Sequence, residues 1–419
     1  MDTVNDALKI LEETELEQLK KTLVSILFEK KVLHKWKFMG QFFKVAVDGT
    51  GVHNFKERHC DHCLTRSYKS FELTEKTYSS LHIALGSTVS PVKAMIGETF
   101  KKKEKALSRL TKLLGENYVQ QHEETLLTHC AKERKERYFH HVLEAKLICD
   151  NGFSISLGTE WIENPGKEFD KQDCESRAFK RLEEKLKIDF PRLPVCIVAD
   201  GLYPNEPFFQ ICKKNHWPFV CVFKEGNLPT LRKKVNELKP SRDKQLTVNK
   251  VGQDNVKITK QFTWSDQLDY RGYSVFWVRC TETTHNSEDE CLKQVNFEYL
   301  VSERVTLGNV TEIVSTGRLR QKIENEGFNT QKNLGYGLKH KYSRTSLRAS
   351  KNYYQCLQIA HMINQLFELS RVMKEQLSQW KTTLKHCWKA LSGFMQYGNI
   401  DEQDLNIFCK KKAQYRYQT

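Results

Sequence analysis

The chain has 419 residues, 67 Lys and Arg against 52 Asp and Glu, and a formal charge of +15. Hydrophobic residues at 39% and charged residues at 28% suit a globular protein with a sizeable core, and the length suits two to four domains of about 100–200 residues each. Scarce Pro (9) and Gly (20) exclude long collagen-like or disordered stretches, and no run of about 18 apolar residues exists to cross a membrane. The N-terminus, MDTVNDALKILEETELEQLKK, is acidic and amphipathic, which excludes a secretory signal.

Thirteen cysteines sit mostly in apolar patterns, such as Cys196 in PVCIVAD and Cys356 in YYQCLQIAH. That is the usage of a reducing cytosol rather than of a disulfide framework. The positive charge points to a polyanionic partner, but a merely solvated basic surface gives the same sign.

In chain order, residues 1–36 read as one or two helices, with Leu8, Ile10, Leu11, Leu16, Leu19, Leu23, Ile26 and Leu27 at three- and four-residue steps. QFFKVAVDGTGVHNF (41–55) switches to a short apolar strand on Phe42, Phe43, Val45 and Val47 that ends in Asp48-Gly49-Thr50-Gly51. Residues 55–135 are polar and Lys-rich, with a helical pattern near 103–127. RYFHHVLEAKLICD and GFSISLGTEWI (138–161) predict two strands joined by a tight Asp150-Asn151-Gly152 turn. A helix follows over 171–188, with Cys174, Ala178, Phe179, Leu182 and Leu186 on one face. PVCIVADG (194–201) is an uninterrupted apolar run, the pattern of a strand covered on both faces. Helix 204–215, strand 217–224 and helix 228–238 come next. Residues 240–305 hold long alternating strands without helices, read as an antiparallel insertion. From about 309 to 396 the pattern is helical, with a predicted buried stripe of Tyr353, Leu357, Ala360, Ile363, Phe367 and Val372. The expected fold class is α/β, a mixed sheet flanked by helices. The expected division is an N-terminal helical segment 1–40, a core 41–239 interrupted by a Lys-rich insertion at about 66–130, a β-rich insertion 240–305, the rest of the core 306–345 and a helical C-terminal region 346–419.

Asp48 and Asp200 share one local setting: each ends an apolar strand and precedes a glycine. A carboxylate there lies at the sheet rim where ligands of open α/β sheets bind, and the glycine lets a ligand approach. Turn-starting aspartates are common and are the plain alternative. A third acid lies in GRLRQKIENEGFN (317–329), where Arg320 and Glu324 are four apart on one helical face. Three carboxylates are what two-metal phosphoryl transfer needs: hard oxygens for Mg²⁺ or Mn²⁺, with Asp48 bridging two ions and Asp200 and Glu324 each holding one. Glu326 competes with Glu324 for the third place, and the spacing from Arg320 favours Glu324.

The segments VAVDGTG, HCDHC, FHHVLEAKL, KQDCESRAFKRL, FPRLPVCIVADGLYPNEPFF, GRLRQKIENEGFN and YSRTSLRASKNYYQCLQIAHMINQL together resemble the DDE transposases of bacterial insertion sequences, over roughly residues 40–370. The resemblance implies an RNase H-like, integrase-type core with Asp48, Asp200 and Glu324 as the metal-binding triad and a β-rich insertion before the Glu. It implies two Mg²⁺ or Mn²⁺ ions, double-stranded DNA (element ends and target) as substrate, a homodimeric synaptic complex, no membrane, and a nucleoid-associated place in a bacterial cytoplasm. Water would attack the phosphodiester at the element end, and the freed 3′-hydroxyl would then attack target DNA. Arg320 would orient Glu324 or contact phosphate.

The chain departs from the family pattern in three places. Some relatives carry Tyr-x2-Arg-x3-Glu-x6-Lys around the last acid; here the Tyr position is Gly317, the Lys position is Gln331, and Lys332 lies one residue further on. Only 47 residues precede Asp48, so either the N-terminus is shortened or the DNA ends are read by other segments. The Lys-rich stretch at about 66–130 looks like an added insertion.

His59-Cys60-Asp61-His62-Cys63 is a C-x2-C knuckle, and His129-Cys130 could supply the rest of a structural Zn²⁺ site on Cys60, Cys63 and Cys130; free cysteines on a turn are the plain alternative. Trp264, Tyr270 and Trp277 in the β-insertion could stack on DNA bases, or simply pack the sheet. Lys332, Arg318, Trp277 and Lys233 are the candidate DNA contacts, with Lys101-Lys102-Lys103, Arg232-Lys233-Lys234 and Lys410-Lys411-Lys412 as basic runs that a solvated face would equally explain. The expected function is thus DNA transposition. An RNase H-like nuclease without strand transfer and an inactive DNA-binding derivative are the alternatives.

Overall fold

The computed structural model describes residues 2–406 apart from 58, 101, 167, 240, 252–256, 287–289, 341, 344, 345, 400, 404 and 405. In chain order the elements are α1 (Asp2–Ile10), α2 (Glu13–Glu29), β1 (Phe43–Phe55), β2 (Leu64–Glu72), α3 (Glu75–Leu85), β3 (Thr99–Phe100), α4 (Lys103–Leu114), α5 (Glu116–Cys130), β4 (Ala131–Ile148) and β5 (Ser154–Ile162). Then come α6 (Glu175–Asp189), β6 (Val195–Ala199), α7 (Glu206–Asn215), β7 (Phe219–Val222), α8 (Pro229–Glu237) and strands β8 (Gln245–Val251), β9 (Lys257–Trp264), β10 (Leu268–Tyr270), β11 (Tyr273–His285) and β12 (Cys291–Val301). The chain closes with α9 (Val310–Leu319), a π-helical turn (Ile323–Asn329), α10 (Thr330–Asn333), α11 (Leu347–Glu368), α12 (Arg371–Gln379) and α13 (Leu384–Tyr397). The architecture is α/β, a mixed and mostly antiparallel sheet flanked by helices, with a helical C-terminal region. No helix among the described residues is long and apolar enough to cross a membrane.

Two compact units divide the chain. The larger comprises residues 1–50, 142–162 and 174–419; the smaller comprises 51–141 and 163–173.

In the larger unit the strand order runs β4, β1, β6, β7, β12, β11, β9, β8. β1, β6 and β7 are parallel neighbours, and the rest from β7 outward is antiparallel. Ala46, Cys196, Val198 and Val220 on the parallel strands join Val278, Val301, Ile313 and Phe328 in one apolar core. β6 is apolar without interruption, as a strand covered on both faces requires, while β1 carries one buried cation, Lys44, paired with Asp150. The β4–β5 hairpin turns at Asp150-Asn151-Gly152, where Gly152 takes φ +106° and Asn151 Oδ1 accepts the Phe153 N–H.

The C-terminal stripe differs from expectation. Ile363, Phe367 and Val372 are exposed, and the buried face of α11 carries Asn352, Tyr354, Gln355, Gln358, His361 and Gln365. This face meets polar groups. Asn352 Nδ2 donates to the carbonyls of Leu8 and Leu11, which fastens α1 to α11. Glu144, fully buried on β4, accepts hydrogen bonds from Ser156, Thr159 and Tyr354, and Lys20 of α2 donates to the same Ser156 and Thr159 hydroxyls. Apolar periodicity misplaces a helix whose buried side is a hydrogen-bonded network.

In the smaller unit β2 pairs antiparallel with β3 and with the first part of β4, Leu64 opposite Phe139. Helices α3, α4 and α5 bury Leu81, Ala106, Leu110, Val119 and Leu126 in a second core. The helical pattern expected near 103–127 corresponds to α4 and α5, which meet at Gly115 (φ +84°).

Candidate active site

Asp48 lies within β1, one residue beyond Val47; Asp200 follows the last residue of β6. The parallel register sets Val47 opposite Ala199, so the next residue of each strand is an aspartate. Each is shaped by the glycine after it. Asp48 Oδ1 accepts the Gly49 N–H at 3.0 Å, and Asp200 Oδ1 accepts the Leu202 N–H at 2.7 Å while Asn227 Nδ2 donates to the Gly201 carbonyl. Asp200 Oδ2 also lies 3.8 Å from Lys224 Nζ.

The third acid comes from the segment after α9. Arg320 Nη1 donates to Asp48 Oδ2 at 3.4 Å and to Glu324 Oε1 at 3.2 Å, so one guanidinium joins the two carboxylates. Glu326 turns elsewhere, to Lys322 at 2.8 Å. Asp48, Glu324, Asn325, Phe328 and Lys332 line a pocket of about 380 Å³ to which Glu326 does not contribute. The three predicted carboxylates are not drawn tightly together: among the described residues the one trio of ligand atoms all within 4.8 Å of each other is Cys60, Cys63 and His140.

A fourth acid escaped the sequence reading. Glu175, at the start of α6, approaches so closely that a β-carbon on Gly49 would collide with its carboxylate, and it accepts a hydrogen bond from Tyr203 Oη at 3.3 Å. Its pKa is raised, chiefly by burial and also by Asp200. In the sequence it looks like an ordinary acid in a first helical turn, favourable to the helix dipole. The only pointer was its place in the quoted KQDCESRAFKRL segment. Cys174, expected on the buried helix face, is the exposed residue that precedes α6.

The electrostatics of Asp48 follow from this crowding. Burial raises its pKa to about 7; Arg320 pulls it down, and Glu324, Glu175 and Asp200 push it up.

The one-residue offset of the lysine has a local cause. Ile323–Asn329 is a π turn, which takes up one residue more than α-helix. Gln331 is therefore turned into the core, fully buried, with Nε2 bonded to Gln358 at 2.8 Å and to His361 at 3.0 Å. Lys332 instead faces the pocket, its Nζ donating to Thr50 Oγ1 at 2.5 Å, and burial lowers its pKa. Gly317 likewise has a reason: a β-carbon there would collide with the ring of Tyr299.

Other predicted contacts stand differently. Trp277 is buried, its Nε1–H given to Glu298 at 3.1 Å, so it presents no free face for a base. Trp264 is buried as well, and Tyr270 packs edge-on against Phe209. Arg318 is bound to Glu282 at 2.6 Å, though it also lines a cleft of about 460 Å³ in which Lys224, Arg232, Arg279 and Arg320 outnumber Glu225 and Glu298. Lys233 is exposed; Arg232 pairs with Glu298 and Lys234 donates to the Asp269 carbonyl. Lys103 pairs with Glu123, while Lys101 and Lys410-Lys411-Lys412 lie outside the described residues.

The expected zinc set is altered. Cys130 is packed among Leu126 and Val119 in the apolar core of the smaller unit, where burial raises its thiol pKa to about 11, and His129 donates to its own helix at Thr125. His140 takes the third place: its Nε2 lies 3.3 Å from Cys60 Sγ and 3.2 Å from Cys63 Sγ. The described cysteines are all free thiols. Neither a family model nor a curated protein matches this chain.

Proposed function

We propose that this protein is a DNA phosphoryl transferase of the DDE transposase type, built on an RNase H-like core. The observation that carries the reading is the link between Asp48 and Glu324 through Arg320, beside a second aspartate leaving the neighbouring parallel strand. The donor set fits divalent ions: carboxylate oxygens are hard ligands, and Asp48, held up to about 7 by burial among other acids, sits where added positive charge is favoured. Asp48, Asp200 and Glu324 would hold Mg²⁺ or Mn²⁺, with Glu175 close by against Gly49. When bound, the ions supply Lewis-acid activation of the attacking oxygen and stabilise charge on the leaving one.

The chain's own groups supply the rest. Arg320, mostly buried, fixes the Glu324 carboxylate and would offer its fork to a phosphate oxygen. Lys332 brings a second cation to the pocket wall. The basic cleft that includes Arg318 and Arg320 suits a phosphate backbone. The reaction is hydrolysis of a phosphodiester at the element end, followed by attack of the freed 3′-hydroxyl on target DNA. Both are in-line displacements, and neither needs a covalent enzyme intermediate. Two DNA ends handled together call for a second copy of the chain.

The test is incubation of the protein with a duplex bearing a free 3′-hydroxyl, a supercoiled plasmid, and Mg²⁺ or Mn²⁺. Joined products are expected. Nicking without joining would instead mark a nuclease, and salt-dependent binding without nicking a non-catalytic DNA-binding protein.

A further inference from the structure

We propose that Cys60, Cys63 and His140 bind a structural Zn²⁺ that fastens the root of the helical insertion between β2 and β4. This inference does not rest on the phosphoryl-transfer reading, and all three residues belong to the smaller unit.

Zn–S bonds of about 2.3 Å and Zn–N bonds of about 2.0–2.1 Å at tetrahedral angles put two sulfurs about 3.8 Å apart and a sulfur about 3.5 Å from a nitrogen. The observed edges are 3.7 Å for Cys60 Sγ to Cys63 Sγ, and 3.3 and 3.2 Å from the two sulfurs to His140 Nε2. Cys63 and His140 are buried and Cys60 is half-buried, so an ion there would be shielded from competing water.

The surroundings hold the knuckle in place. Asn164 N–H donates to the His62 carbonyl, Asn164 Nδ2 donates to the Cys63 carbonyl, and His62 Nδ1 donates back to the Asn164 carbonyl. These bonds occupy His62 Nδ1. His59 is likewise engaged, stacked on Tyr138 at 3.5 Å. The adjacent histidines are thus positioning groups, and the third ligand comes from the opposite strand, where Phe139 faces Leu64. His53, also buried, stands edge-on to His140 with ring centroids 6.3 Å apart. Residues 64–139 lie between the second and third ligands, so the ion would close a long loop at its base.

The full chain, purified without chelator, is expected to carry one zinc per molecule by elemental mass spectrometry. After zinc removal, Co²⁺ should give thiolate-to-cobalt charge transfer and the intense visible bands of a tetrahedral site. Cys60→Ser, Cys63→Ser and His140→Gln should each lose the metal, and Cys130→Ser should keep it. Where a variant fails to fold, the wild-type spectra and the protection of Cys60 and Cys63 from alkylation by added Zn²⁺ decide the matter. A wild-type protein without metal, with no cobalt charge transfer and with both thiols alkylated at the same rate with or without Zn²⁺, overturns the proposal. So does a Cys60–Cys63 disulfide as the purified state, or loss of zinc on Cys130→Ser.

Discussion

Arg320 Nη1 stands 3.4 Å from Asp48 Oδ2, a contact between residues 272 positions apart, and the same nitrogen holds Glu324 at 3.2 Å. Because Arg320 lowers the pKa of Asp48, its removal should raise it. Arg320→Ala is expected to raise the Asp48 pKa further in the protein without divalent ions, read by NMR titration, and to cut the nicking rate at neutral pH about 10²-fold, the usual scale for one preorganised electrostatic group. Arg320→Lys keeps the charge without the fork and should fall between. An unmoved Asp48 titration with weaker DNA binding alone would limit Arg320 to phosphate contact.

Asp48 also makes a stability prediction for the protein without divalent ions. Its folded pKa, about 7, lies above the ordinary 3.8, so between those values the folded state binds more protons than the unfolded. Stability from this group is full below about pH 4 and is lost as pH rises through 7. The difference corresponds to at most about 4 kcal/mol. Asp48→Asn should therefore be more stable than wild type in urea unfolding at pH 8 with chelator present, with the gap closing toward pH 4. It should also lose nicking while DNA affinity is kept. A wild type as stable as the variant at pH 8 would mean that Asp48 is better compensated than its neighbours suggest.

The buried polar network behind β4 should be costly to break. Glu144 is fully buried and takes hydrogen bonds from Ser156, Thr159 and Tyr354, with the buried Lys20 bonded to two of these partners. Burial lowers the pKa of Lys20, and the charge of Glu144 opposes that shift. Glu144→Ala strands these groups and should cost about 3–5 kcal/mol by urea unfolding. Glu144→Gln keeps the volume and part of the bonding and should cost less. A loss under about 1 kcal/mol for Glu144→Ala would mean that water replaces the carboxylate.

These residues show what could be read from the sequence. Asp48 and Asp200 were legible because the largely apolar stretches FFKVAV and VCIVA each lead into an Asp-Gly pair, although β1 runs on past Asp48 to Phe55. The face of α11 was not, because it buries Gln358, His361 and Gln365 rather than Ile363 and Phe367. Glu175 was hidden because only the folded approach of α6 to Gly49 distinguishes it from any first-turn acid. His140 gave no sign in the sequence because its nearness to Cys60 and Cys63 depends on the β2–β4 register, a pairing across some 75 residues that local spacing does not show.

The π turn yields the sharpest contrast between neighbours. Gln331 and Lys332 are adjacent, yet one is sealed in the core between Gln358 and His361 and the other faces the pocket beside Thr50. Lys332→Ala should leave folding nearly unchanged, since surface-directed losses are usually within about 0.5 kcal/mol, and should weaken DNA processing through a lost phosphate contact. Gln331→Ala should do the reverse, costing about 1–3 kcal/mol by leaving Gln358 and His361 short of a buried partner while the chemistry per folded molecule persists. Deleting one residue of Ile323–Asn329 should remove the π turn and leave both roles in place, with the lysine still at the pocket and the glutamine still in the core. Thermal unfolding and nicking assays on the three variants separate these outcomes, and equal effects of Lys332→Ala and Gln331→Ala on both readouts would show that the turn does not divide their roles.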